Sequence, residues 1–115
     1  MSDEKATSAD IWLFIARDFS ETPGPRTRPE GDHSGQAFLE DCLLPKFEEA
    51  RSRGVHLFVD MDGTEGYATS FLEEAFGGLA RRYTPSQVLE IVRFKSIDQA
   101  DLPEDIRTYI GEADQ

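Results

Sequence analysis

Two carboxylates, Asp60 and Asp62, stand at the end of the apolar run Leu57-Phe-Val. Gly63, Thr64, Glu65, Gly66 and Tyr67 follow, then Ala68 and two adjacent hydroxyls, Thr69 and Ser70. Beyond them Phe71, Leu72, Ala75, Phe76 and Leu79 recur at helical spacing. A short apolar run reads as a buried strand, glycines as a turn, and hydroxyl residues as the start of a helix. Strand, loop and helix in that order are where α/β proteins place function. Two kinds of chemistry suit the residues. Asp60 and Asp62 could form a phosphoryl-transfer pair, or the loop could dock a partner and switch on modification of Thr69 or Ser70.

The other reactive side chains are sparse. Cys42 is the single cysteine, beside an apolar helical stripe, and reads as a small core residue rather than a nucleophile. His33 and His56 have no second ligand at zinc-like spacing, so no metal is expected. Arg26 and Arg28 stand in a proline- and glycine-rich loop, either solvated or, less simply, as an anion site. A short edge strand around them is an open alternative.

The chain has 115 residues and a formal charge of −11, with 38% hydrophobic and 30% charged residues. That is one soluble domain with a core of its own. The negative charge opposes nucleic-acid phosphates and anionic membrane surfaces alike. No apolar run reaches the ~20 residues of a spanning helix. The lone cysteine and the acidic start fit a cytoplasmic protein. Residues 1–9 are expected to be flexible and 10–115 to form the single domain.

Three apolar runs, at residues 11–16, 55–61 and 88–94, read as buried strands. Ser34 reads as the cap of a helix that ends at Gly54 and is kinked or divided at Pro45. Ser70-Phe-Leu-Glu73 and Asp101-Leu-Pro-Glu104 have the form of capping boxes, which makes Ser70 first a structural cap. Gly77-Gly78 inside the second helix costs ~1 kcal/mol per glycine. Close packing on a sheet or on a partner is the expected compensation. Strands alternating with helices imply a parallel sheet with right-handed crossovers.

Phe58-Val-Asp-Met-Asp-Gly-Thr64 resembles the first motif of the haloacid-dehalogenase phosphatases. That resemblance implies Asp60 as nucleophile and Asp62 as general acid, with magnesium between them. A longer stretch resembles something else. Val59-Asp-Met-Asp-Gly-Thr-Glu-Gly-Tyr-Ala-Thr-Ser-Phe-Leu72 is similar to the strand, loop and helix of STAS domains, shared by sulfate transporters and anti-sigma factor antagonists. Glu65-Gly-Tyr-Ala-Thr-Ser-Phe-Leu-Glu-Glu-Ala-Phe-Gly-Gly-Leu79, with Gly24-Pro-Arg-Thr-Arg28 and Ser34-Gly35, resembles the STAS-like family of unknown function. This implies a small α/β domain, a mostly parallel sheet of three to four strands with three helices. It also implies a non-enzymatic interaction module without cofactor. Its partner would be a serine kinase of the histidine-kinase-like ATPase fold. The implied contact and phosphorylation surface is Gly63, Glu65, Gly66, Tyr67, Thr69 and Ser70, with Thr69 at the phosphorylated position. Ala68 and Phe71 depart from the Asp and Gly usual there.

Overall fold

A computed structural model of the protein describes Thr7 and residues 9–113. The expected flexible start, residues 1–9, lies outside the described residues except for Thr7 and Ala9. Three short strands, β1 (Ile11–Phe14), β2 (Leu57–Asp60) and β3 (Val92–Lys95), form one parallel sheet in the order β1-β2-β3. Each strand adds beside the last in the same direction. Crossovers of the usual right hand, stepping in one direction, place both connections on one face of a sheet. The side-chain alternation agrees. Ile11, Leu13, Leu57, Val59 and Val92 join the main core, whereas Trp12, Phe14 and Phe58 do not.

Among the described residues there are five helices, not three. After β1 comes a single turn, α1 (Ile15–Asp18), so the first apolar run is strand only to Phe14. Helix α2 spans residues 35–53, with the Ser34 hydroxyl accepting the Ala37 amide as its cap. Pro45 neither breaks nor ends it. An interior proline lacks an N–H and crowds the carbonyl four residues back. The helix widens into a π turn over Leu39–Leu43, the Leu44 amide reaches the Leu39 carbonyl, and Pro45 becomes the second residue of the α-helix Leu44–Arg53. Gly54 then closes it in the left-handed conformation, φ 71°.

Helix α3 covers residues 69–82 and also contains a π turn, Glu73–Gly77. The widened turns of α2 and α3 pack against each other. Glycine permits this approach. A Cβ on Gly78 would lie 2.8 Å from Leu39 Cδ2, and one on Gly35 would lie 2.6 Å from the Phe71 carbonyl oxygen. Gly78 therefore serves a neighbouring helix of the same chain, neither the sheet nor an outside partner.

The third apolar run divides. Pro85–Ile91 is helix α4, begun by the Thr84 hydroxyl accepting the Gln87 amide and by Pro85 in the first turn, where its missing N–H costs nothing. Val88 is buried, Leu89 and Glu90 are both exposed and Ile91 is half-buried, a helical spacing rather than the alternation of a strand. Only Val92–Lys95 is strand. Helix α5 (Leu102–Glu112) buries Ile106 and Ile110, but the Asp101 side chain makes no cap bond. Among the described residues no helix is long and apolar enough to cross a membrane.

Because the Phe71 carbonyl is main chain and cannot swing aside, Gly35→Ala should lower stability by about 1–3 kcal/mol. Helix propensity alone would raise it by up to about 1 kcal/mol. Urea unfolding of both proteins distinguishes the two signs.

Candidate functional site

Parallel strands side by side bring their last residues together, and here those residues are charged. Asp60 pairs in register with Phe14 on one side and Lys95 on the other. The Lys95 ammonium lies 2.9 Å from Asp62 Oδ2 and 3.4 Å from Asp60 Oδ2. Asp60 Oδ1 accepts the Asp62 amide at 2.9 Å, turning the chain out of the strand. Asp62 Oδ1 accepts the amides of Ile97 and Asp98 at 2.8 and 2.9 Å. The Asp98 carboxylate returns to the Gly63 amide at 3.2 Å. Two carboxylates thus tie the loop after β2 to the loop after β3.

Burial alone would raise the Asp62 carboxyl. The Asp98 and Ile97 amides and the Lys95 ammonium outweigh it, leaving its pKa below the ordinary carboxylate range. Lys95 is raised in turn, chiefly by its bond to Asp62.

The loop from Gly63 to Ala68 is fixed at several points. Gly63 and Gly66 take φ of 90° and 133°, open to glycine alone without strain. The Glu65 amide donates to the Glu21 carbonyl at 2.8 Å. Tyr67 folds back, its hydroxyl donating to the Met61 carbonyl at 2.7 Å, and burial pushes its pKa up to about 12. Between this loop and the next is a cleft of about 170 Å³, lined by Met61, Asp62, Thr64, Glu65, Ser96 and Asp98 among others.

Helix α3 begins at Thr69, with Ala68 in the cap position and no side-chain cap bond. The capping box expected of Ser70 and Glu73 does not form, because Glu73 is taken by distant partners. Its carboxylate binds Arg26 and, at 2.8 Å, Arg81. The Arg81 bond, with that of Arg26, holds Glu73 below the usual range against its burial. Thr69 is exposed and Ser70 half-buried.

Arg26 and Arg28 are not solvated loop cations. Arg26 bridges Glu73 and Glu74 of α3, and Arg28 binds Glu40 and Asp41 of α2 at 3.0 and 3.1 Å. Their segment is no strand; Arg28–Glu30 is one turn of 3₁₀ helix, and main-chain bonds from Gly35 to Pro25 and from Gln36 to Arg26 hold it to α2. The proline-rich loop is a strap across the first turns of both helices.

The remaining candidates stand apart. His56 is exposed, one residue before β2, with Nδ1 3.9 Å from Asp10. His33 packs edge-on against Phe19. Cys42 packs against the core beside a cleft of about 380 Å³ at the β1 edge, and burial pushes its thiol up, away from nucleophilic reactivity. Among the described residues no group of three His, Cys, Asp or Glu is arranged to hold a metal. The residues that sequence reasoning undervalued are Lys95 and Asp98. Their signal was a cation ending one parallel strand beside an acid ending the next.

Residues 34–102 match the family model described as a STAS-like domain of unknown function. No curated protein and no solved structure matches the chain.

A carboxylate with a lowered pKa stabilises the fold above its unfolded pKa and loses that contribution as pH falls through its folded value. Asp62→Asn should therefore cost about 1–3 kcal/mol at neutral pH. The gap from wild type should narrow as pH falls below the ordinary carboxylate value of about 4 and on through the lower folded value of Asp62. Urea unfolding from neutral to acid pH checks both the size and the direction.

Proposed function

Since the chain belongs to the family of STAS-like domains of unknown function, we propose that it is a non-enzymatic regulatory module. Its docking surface is the loop 63–68 together with Thr69 and Ser70. The observation that carries this reading is an exposed hydroxyl, Thr69, at the uncapped start of α3, beside a loop held rigid from three sides. A rigid loop binds without a large ordering cost. A phosphate at a helix start meets main-chain amides and the positive end of the helix dipole.

Read from sequence, Glu65, Glu73 and Glu74 would oppose that phosphate. Arg26 between Glu73 and Glu74, with Arg81 on Glu73, offsets much of the charge of those two. The partner is a protein, a histidine-kinase-like ATPase with serine kinase activity. Phosphorylation falls on Thr69 first and Ser70 second, and releases the partner. In this reading Asp60 and Asp62 are structural. Both oxygens of Asp62 already serve amides and Lys95, so a magnesium ion would have to displace Lys95 and free those oxygens.

The test is to recover the partner by affinity capture and mass spectrometry, then titrate purified variants against it. Thr69→Glu should weaken binding by about five- to a hundredfold, about 1–3 kcal/mol, with an unchanged melting temperature. Ser70→Ala, which removes no cap, should shift stability by no more than about 0.5 kcal/mol. Unchanged affinity in Thr69→Glu would move the docking surface elsewhere. Magnesium-dependent hydrolysis of a phosphomonoester, abolished by Asp60→Asn, would replace this reading with the phosphatase one.

A further inference from the structure

The cleft of about 380 Å³ beside Cys42 is lined from β1, α1 and α2, and none of residues 63–70 borders it. Its volume is that of a small-molecule site. Leu13 borders it from β1, and the half-buried Cys42 from the widened turn of α2. Pro45 adds an apolar ring with no N–H to satisfy. The acids along its wall are already paired. Asp18 binds Arg17 at 2.8 Å and the Phe14 amide at 2.9 Å. Asp41 binds Arg28 at 3.1 Å, and Glu49 binds Arg53 at 2.9 Å. Lys46 differs from them. It lines the same cleft, half-buried, and among the described residues no carboxylate lies within ion-pair distance of its ammonium. The Asp18 carboxyl is lowered chiefly by its bond to Arg17 and least by Lys46, so that acid does not claim the ammonium.

We propose that this cleft binds a small monocarboxylic acid, its carboxylate on Lys46 and its hydrocarbon body against Leu13, Cys42 and Pro45. Charge selects the class. A cationic ligand would find Asp18, Asp41 and Glu49 each holding an arginine already, and would be repelled by Lys46. A phosphate or a dicarboxylate would set two negative charges against one free cation and three nearby acids. A single carboxylate matches the single unpaired ammonium, and a charge-assisted bond in a recess is stronger than the same bond in open water. Size selects the body. A cavity of about 150 Å³ holds benzene, so this cleft has room for one ring, or a branched chain of similar bulk, and a short acid arm. The site shares no residue with the docking surface and stands whether or not that reading holds.

The probes are benzoate, phenylacetate, isovalerate and hexanoate, each with its neutral amide and its amine counterpart. In amide-resolved NMR titrations of the purified chain, at least one acid should bind with Kd on the order of 1 mM and shift the amides of Cys42 and Lys46. Its amide and amine should bind at least about tenfold more weakly. Because Cys42 is the only cysteine in the chain, its alkylation by iodoacetamide reports on this cleft alone. The saturating acid should slow that alkylation at least about twofold. Lys46→Gln should weaken the acid at least about tenfold and leave the amide unaffected, while Lys46→Arg should retain the acid. If Lys46→Gln fails to fold, the preference for acid over amide and the protection of Cys42 decide. No shift at Cys42 or Lys46 with any acid at about 20 mM, an amide or amine that binds as well as its acid, an unprotected Cys42, or undiminished affinity in a folded Lys46→Gln variant would each overturn the proposal.

Discussion

A carboxylate at a strand end that gathers main-chain amides from the neighbouring loop is the contact on which the functional end of this molecule depends. Strands β2 and β3 finish side by side, and each must hand its chain to a loop whose amides have lost their ladder partners. Asp62 accepts two of those amides, Asp98 accepts one in the opposite direction, and Lys95 offsets part of the cluster's negative charge. A buried charge without such partners would cost several kcal/mol. With them it becomes a tie between loops, and the course of residues 63–68 follows from it. Tyr67 and the Glu65 amide fasten the far side of the same loop.

The second constraint lies one layer away. Helices α2 and α3 run parallel and nearly touch at Gly35 and Gly78, where any side chain would intrude. Their closeness brings Glu40 and Asp41 of one helix and Glu73 and Glu74 of the other within reach of the strap. Two arginines, Arg26 and Arg28, then serve both helices. The start of α3, where the docking reading places Thr69, is therefore set from below by glycine packing and from the side by ion pairs. In an acidic chain these cations also limit the repulsion among clustered glutamates.

Much of this was legible in the residues. Continuous apolar runs marked β1 and β2, Ser34 and Gly54 bounded α2, and the glycine pair marked a close contact. The errors have local causes. Val88-Leu-Glu-Ile-Val reads as strand by composition, yet Thr84 and Pro85 before it are a helix start, and that signal wins. Ser70-Phe-Leu-Glu73 has the spacing of a capping box, but a capping box is a local arrangement and Glu73 answers to Arg26, 47 positions earlier in the chain. The sidedness of the sheet was hidden for a related reason. Along β1 both faces are apolar, so alternation could not tell which side joins the main core.

The tie between the loops can be measured without knowing any partner. Residue-resolved hydrogen exchange should find the Ile97 and Asp98 amides protected, although both residues are exposed at the surface. In Asp62→Asn that protection should fall selectively, together with protection at Gly63, while the core amides of α3 exchange as in wild type. Ile97 and Asp98 amides that exchange freely in the wild-type protein, or that keep full protection in Asp62→Asn, would contradict the account.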